Sequence, residues 1–330
     1  MLVRIDNKGV TDPYLNLALE EYALRNLEMN ADYVLFYINQ PAVIIGRHQN
    51  PWEEVNMDFV EREGIPVIRR ISGGGAVYHD AGNLNFSFIT PYTKAKFNNY
   101  QKFTEPIIQT LRSLGVEAKL NQRNAIVVGD YKISGNAQFT SKNRMVSHGT
   151  LLFHTNLHHL KHALQQKSGD IESRATKSIR SKVVNISSLL NRQLTVEKFQ
   201  NLLLQGISKS SGGIISLRFS SEDWEKIEEL ARNKYQSWSW NFGESPSFHL
   251  KWTKKLRGRE IHCQMVVEKG KIKEIKFSGD FAGDRFFNNL EKLLEGLPYE
   301  KAALRQQLKK MKPDFNRVQI GEEELLAFIY

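Results

Sequence analysis

The apolar runs in this chain are the length of strands. Residues 34–38 (VLFYI) and 43–45 (VII) are bounded by Pro, Gly and polar residues, and neither approaches the roughly 20 apolar residues a membrane span requires. A third short run, residues 66–68, follows in the same rhythm. Ahead of them, Asp12-Pro13 marks a helix start, because Asp can cap the first amides and Pro fits the first turn. Leu15, Ala18, Leu19 and Tyr22 then share one face. Short strands with attached amphipathic helices predict an α/β protein built on a sheet.

Further along, residues 103–114 read as a helix closed by Gly115, and 125–128 and 131–134 as strands joined by a Gly129-Asp130 turn. Another strand is expected around 149–153. Residues 165–188 are polar, basic and weakly periodic, the pattern of a functional loop. Residues 195–207 predict a helix and the following SKSSGGI a surface loop. Aromatics, Gly and Pro cluster at 238–248, which suggests a boundary, and a hairpin (259–268, 271–277) and helices at 287–297, 301–311 and 322–330 lie beyond it. At 330 residues the expectation is a large domain over 1–243 and a small α+β domain over 247–330.

The net charge of +10 favours an acidic partner, yet much of it sits in scattered pairs such as Lys254-Lys255 and Lys309-Lys310, with Arg257, Arg259 and Lys312 nearby. The single cysteine, Cys263, excludes internal disulfides and CxxC zinc sites, and its alternating flanks predict a buried structural thiol. No metal-ligand set is assigned. The first ten residues read as a strand and turn with no signal-peptide core, so a cytoplasmic protein without membrane attachment is expected.

Chemistry concentrates at Arg69-Arg70-Ile71-Ser72-Gly73-Gly74-Gly75-Ala76-Val77-Tyr78. Glycines leave peptide N–H groups uncovered so that several can converge on one anion, and Arg70 offers a planar charged fork. The run matches neither GxxxxGK[ST] nor GxGxxG, and local chemistry leaves a phosphate cradle and a surface turn both open. Lys132 precedes a second small-residue turn, Ser134-Gly135, with His148-Gly149 a strand later. A lysine beside an anion site can neutralise developing phosphate charge, although a lone strand lysine is commonly solvated. Arg47 and His48 follow a strand end at Gly46.

Together these stretches resemble the lipoate-protein ligases, within the superfamily that also holds biotin-protein ligases. The resemblance runs through IGRHQNPW (45–52), RRISGGGAVYHDAGNLNFSF (69–88), KISGNAQ (132–138), HGTLLF (148–153), SIRSKVVNIS (178–187) and SWSWNFGESPSF (237–248). It implies a mixed-sheet catalytic domain with a C-terminal accessory domain, and a two-step reaction. Lipoate attacks the α-phosphate of Mg–ATP to give lipoyl-AMP and pyrophosphate, and the ε-amine of an acceptor lysine then takes the acyl group. ATP and Mg2+ enter with the substrate, and no tightly bound organic cofactor is implied.

By the same resemblance, Arg70 and the backbone of Gly75, Ala76, Val77 and Tyr78 match ATP-binding positions. Lys132 matches the catalytic lysine that touches both the α-phosphate and the lipoate carboxylate. Gly74, Arg70, His148 and Lys132 are assigned to lipoate. Arg47, His79, Asp80, Asn83, Ser134 and Gly135 border the same motifs, with His79, Asp80 and Asn83 suited to orienting the glycine loop. Val43, Ile45, Val77 and Leu151 are candidates to line an apolar tunnel or simply to pack the core. The acceptors implied are lipoyl domains of 2-oxoacid dehydrogenase E2 subunits or the glycine-cleavage H protein, with lipoate or octanoate as acyl donor.

One departure stands out. Relatives of this kind carry an acidic residue in a GRND[IL] stretch, where this chain reads Gln122-Arg123-Asn124-Ala125-Ile126. The second reading is therefore a lipoyl or octanoyl transferase that uses a pre-activated donor. A thioester route would need a cysteine in the catalytic domain, and Cys263 lies outside it. A ligand sensor or nucleic-acid binder would use the +10 charge, but no helix-turn-helix or RNA-binding aromatic motif accompanies it, and no nucleic-acid partner is expected.

Overall fold

Asp12 acts as its position before Pro13 predicts. Its carboxylate accepts from the amides of Tyr14 and Leu15, at 2.7 and 3.1 Å, and opens α1 (Pro13–Asn26). The computed structural model describes every residue except 1, 29, 166–169, 257, 281–283 and 312–319. Arg257, Lys312 and part of the polar segment 165–188 thus lie outside the described residues. The chain forms two compact units, Met1–Gln165 with Lys177–Ser237, and Gln166–Thr176 with Trp238–Tyr330.

In the first unit the order is β1 (Leu2–Asp6), α1, β2 (Asp32–Ile38), β3 (Ala42–Ile45), α2 (Pro51–Glu54), α3 (Met57–Arg62), β4 (Val67–Arg69), β5 (Val77–His79), β6 (Asn83–Pro91) and α4 (Tyr100–Ser113). Then come β7 (Lys119–Leu120), β8 (Ile126–Val128), β9 (Tyr131–Ser134), β10 (Asn136–Ser141), β11 (Arg144–Leu152) and α5 (Leu157–Ala163). The chain gives β12 (Asp170–Ser173) to the second unit and returns for α6 (Val196–Ser211), β13 (Ile214–Arg218) and α7 (Ser221–Leu230).

The main sheet is mixed, in the order β10-β11-β6-β2-β1-β13, with β2, β1 and β13 parallel and the remaining pairs antiparallel. Val34 and Phe36 of β2, Phe86 and Phe88 of β6, and Met145 and Leu151 of β11 pack with Phe103, Ile107 and Leu111 of α4 and Phe199 and Leu203 of α6. Each such large side chain taken from water contributes roughly 1.5–3 kcal/mol. On the same strands Ser87 and His148, directly paired across β6 and β11, meet Glu20 of α1. The period of two thus separates an apolar face from one carrying polar side chains. Two small sheets, β4-β3-β5 and β7-β8-β9, carry the glycine run and Lys132.

The second unit is an antiparallel sheet, β12-β14-β15-β16, built with β14 (Phe248–Leu256), β15 (Arg259–Glu268) and β16 (Lys271–Gly279). It also holds α8 (Arg285–Leu294), α9 (Lys301–Leu308) and α10 (Glu322–Ile329). Cys263 stands between Trp252 and Phe277 in the ladder, is 1% exposed, and burial drives its thiol pKa far up. It is inert, as its flanks predict.

Several elements differ from expectation. SKSSGGI is not a loop: α6 runs to Ser211 and stops at Gly212, which takes the left-handed conformation (φ 72°), and β13 begins two residues later. β13 is a half-exposed edge strand, so it lacks the alternation that reveals a strand. The polar segment contains β12, whose partner β14 lies more than seventy residues on. β14 itself, rich in lysine, and α7, opened by the Ser220/Asp223 capping box, were not anticipated.

Candidate active site

The glycine loop is held by the two arginines that precede it. Arg69 is fully buried, and its Nη1 donates to the carbonyls of Gly46, Arg47 and Gln49 at 3.2, 3.1 and 2.7 Å. Arg70 donates from Nε to Ser72 Oγ (3.0 Å), from Nη1 to the Ile44 carbonyl (3.2 Å), and from Nη2 to the Gly73 (2.6 Å) and Gly75 (2.9 Å) carbonyls. This corrects the expectation of an open fork, since four of its five N–H donors hold protein and, among the described residues, one Nη1 hydrogen is left. Burial pulls the Arg70 pKa down to about 10, against the opposing field of Glu20.

Glycine is required here by close approach. A Cβ on Gly46 would sit 2.1 Å from the Gly74 carbonyl oxygen, and Gly74 itself has φ +93°. Ser178 closes the other side of the loop: its Oγ accepts from the Ala76 amide (2.8 Å) and from Gln49 Nε2 (3.0 Å), and its amide donates to Glu54 Oε1 (3.0 Å). A Cβ on Gly75 would meet that Oγ at 2.9 Å. Val77 and Tyr78 continue into β5, paired with Ile44 and Val43. The Tyr78 hydroxyl faces His159 Nδ1 at 3.4 Å, and burial, then Asp80, raises its pKa to about 12.

Lys132 arrives from β9. Its amide donates to the Lys182 carbonyl (2.8 Å), and its side chain covers Gly135, where a Cβ would lie 3.0 Å from Nζ. Burial first, and the Arg70 charge second, lower its pKa. Among the described residues this ammonium has no hydrogen-bond or ion-pair partner. A partly buried ammonium that feels the Arg70 charge, bordered by a glycine loop, forms a site that calls for an anion.

The remaining sequence-derived residues divide clearly. Both His148 nitrogens are engaged, Nδ1 with Glu20 Oε1 (2.8 Å) and Nε2 with Ser72 Oγ (2.7 Å), so neither is left to hydrogen-bond a ligand. Asp80 is structural: its two oxygens accept from the Gly82 and Asn156 amides, at 2.9 and 2.7 Å. His79 Nδ1 meets Asn39 Nδ2 at 3.0 Å, and burial, then Arg70 and His148, drop its pKa to about 3. Asn83 donates to Asn85 (2.9 Å), while its Oδ1 is buried and unpartnered among the described residues. Ser134 is buried and accepts from Asn136, Gly135 bonds Thr150 through both backbone groups, and the Arg47 amide donates to the Ser72 carbonyl at 2.8 Å.

Val43, Ile45 and Leu151 are fully buried, and Leu151 belongs to the main apolar core. Ala125 is buried, with its amide bonded to Asn121 Oδ1 at 3.0 Å. Sequence reasoning missed Ser72, Gln49, Ser178 and Glu20. The first three lie inside the matched motifs and carried that signal, whereas Glu20 is an ordinary helix carboxylate by its neighbours.

Residues 12–208 match the lipoyl protein ligase A/B catalytic domain, and residues 245–329 match the bacterial lipoate protein ligase C-terminus. The chain belongs to this family of ligases. It is 46% identical over 328 residues to lipoate-protein ligase LplJ of Bacillus subtilis (strain 168), covering 99% of each chain. It is 47% identical over 292 residues to lipoate–protein ligase 1 of Staphylococcus aureus (strain Mu50), covering 88% of this chain and 89% of that one.

Among solved structures, it resembles a lipoate-protein ligase A bound with ATP (TM-score 0.64, 27% identity, 74% of this chain and 100% of that one). A Thermoplasma acidophilum protein with bound lipoic acid gives TM-score 0.64 at 26% identity, over 74% and 100% of the two chains. A structural study of a bipartite lipoate protein ligase and its E2 lipoyl domain from the same organism gives 0.62 at 25%, over 74% and 95%.

Proposed function

We propose that this chain is an ATP-dependent lipoate-protein ligase that carries out both half-reactions at the glycine loop. In the first, a lipoate carboxylate oxygen bonds to the α-phosphorus of ATP and pyrophosphate leaves. In the second, the acceptor lysine amine bonds to the acyl carbon, AMP leaves, and the amine gives up a proton. A free carboxylate does not acylate amines at useful rates because oxide is a poor leaving group, and AMP is a good one.

The observation that carries this reading is the Lys132 ammonium, partly buried, within the field of Arg70 and unpartnered among the described residues. A carboxylate and an α-phosphate repel each other, and a cation between them holds both at reacting distance and stabilises the crowded phosphorus. Arg70 supplies charge through its remaining N–H and fixes the loop, whose backbone at Gly75, Ala76, Val77 and Tyr78 lies against the nucleotide. The Ala76 amide exchanges its Ser178 partner for phosphate oxygen. Lipoate lies between Lys132, Gly74 and His148.

Mg2+ enters as the Mg–ATP complex; among the described residues no group of three or more His, Cys, Asp or Glu side chains converges as a metal site. The acceptors are E2 lipoyl domains, the partner class studied with the archaeal relative, and the glycine-cleavage H protein. No described helix is long and apolar enough to cross a membrane, and we place the reaction in the cytoplasm, where ATP is supplied.

Ala125 favours a second reading, transfer from a pre-activated donor, because no carboxylate stands at that position. Lipoate-dependent ATP–pyrophosphate exchange, followed by mass measurement of an apo lipoyl domain, separates the two. Exchange with a lipoyl mass increment supports the ligase; transfer only from supplied lipoyl-AMP supports the second reading and overturns the first.

A further inference from the structure

A hydrogen-bonded chain runs from α1 to the glycine loop. Glu20, 1% exposed, accepts from Ser87 through Oε2 and meets His148 Nδ1 through Oε1. His148 Nε2 meets Ser72 Oγ at 2.7 Å, and that oxygen accepts Arg70 Nε–H at 3.0 Å. One arrangement satisfies every member: the Ser72 hydroxyl donates to His148 Nε2, and His148 donates from Nδ1 to Glu20. In the alternative, with Nε2 of His148 donating to Ser72, the hydroxyl would have to turn its proton to the Gly73 carbonyl at 3.5 Å while the ring and the guanidinium both donate to it.

The order acid, histidine, serine is that of a nucleophilic triad, but the chemistry differs. Ser72 is fully buried, and its oxygen is occupied by a guanidinium N–H, so it is not poised to attack. The chain ends instead on the arginine whose other donors hold the Gly73 and Gly75 carbonyls. A buried carboxylate is costly unless paired, and an apolar side chain would pack α1 on the sheet without that cost. The position of Glu20 makes sense as an anion acting on Arg70 through two intermediaries.

We propose that Glu20 and His148 are positioning residues for adenylation. Glu20 fixes the His148 tautomer, and His148 holds the Ser72 hydroxyl in the rotamer that receives Arg70. Arg70, so oriented, sets the loop carbonyls so that the loop amides face the nucleotide. The inference rests on the ligase reading and deepens it.

The test is a double-mutant cycle in lipoate-dependent ATP–pyrophosphate exchange, using Glu20→Gln, Ser72→Ala and the double variant of the full chain. Each single change is expected to lower kcat/KM for ATP about 10- to 100-fold, the range for groups that orient a site residue through a hydrogen bond. The double variant is expected to stay within about twofold of Ser72→Ala, because both act along one path. Losses that multiply, or a Glu20→Gln enzyme with wild-type kinetics, overturn the proposal. Should Glu20→Gln fail to fold, Glu20→Asp, which withdraws the carboxylate from His148 by one methylene, replaces it in the cycle with the same expectation. A wild-type protein without exchange sinks the ligase reading and the relay together; an active wild type with multiplying losses sinks the relay alone.

Discussion

Gly46→Ala is the sharpest probe of the glycine loop, because the new methyl group would meet backbone and not a movable side chain. Its Cβ would lie 2.1 Å from the Gly74 carbonyl oxygen and 3.0 Å from the carbonyl carbon, and atoms of this kind do not approach within 3.0 Å. The loop must therefore retreat by about 1 Å, and its neighbours Gly73 and Gly75 are the acceptors of Arg70 Nη2. Misplacing a reacting geometry by about 1 Å costs on the order of 10²-fold in rate. We expect Gly46→Ala to lower kcat in ATP–pyrophosphate exchange about 100-fold. Thermal unfolding should fall only modestly, because the strain stays in the loop. A variant with wild-type exchange and an unchanged KM for ATP would refute the argument that this backbone contact sets the site.

Three further outcomes follow from particular residues. Gly82→Ala would place a Cβ 2.0 Å from the His154 carbonyl oxygen, backbone against backbone, and should destabilise the fold by about 3 kcal/mol in chemical denaturation, with the surviving protein still active. His79 is neutral in the folded chain down to about pH 3, whereas the unfolded chain takes up that proton below its ordinary value of 6.5. As pH falls through that window the unfolded state binds the extra proton and stability drops, with a limiting slope of about 1.4 kcal/mol per pH unit. His79→Gln should flatten that slope between pH 6 and 4. Cys263 should resist alkylation in the native protein and react on unfolding, since burial holds its thiol protonated; rapid native labelling would contradict that.

What the sequence revealed was set by how local each feature is. The cap at Asp12, the Gly129-Asp130 turn and the β15–β16 hairpin depend on neighbours a few residues apart, and all were legible. β12 and β13 were not, because each is defined by a partner far along the chain, and β13 shows no clean buried face. The site divides in the same way. The glycine run announced close backbone approach, and the family resemblance brought Lys132 to it. The real occupation of Arg70 by the loop it belongs to was hidden, since a charged fork and a loop clamp have the same sequence. Ser178 meets the loop from about one hundred residues away, and Glu20 joins His148 across 128, so neither left a local trace. Ala125 was visible as a departure, and its buried, hydrogen-bonded backbone gives it no polar group to offer in place of a carboxylate.

The central claim is that Lys132 holds two anions together in the adenylation step, and its most direct test is Lys132→Ala assayed by lipoate-dependent ATP–pyrophosphate exchange beside the wild type. The account predicts a fall of about 10² to 10³ in kcat, the loss typical of a preorganised electrostatic group, with the fold intact. Exchange at a near-normal rate in Lys132→Ala would contradict it.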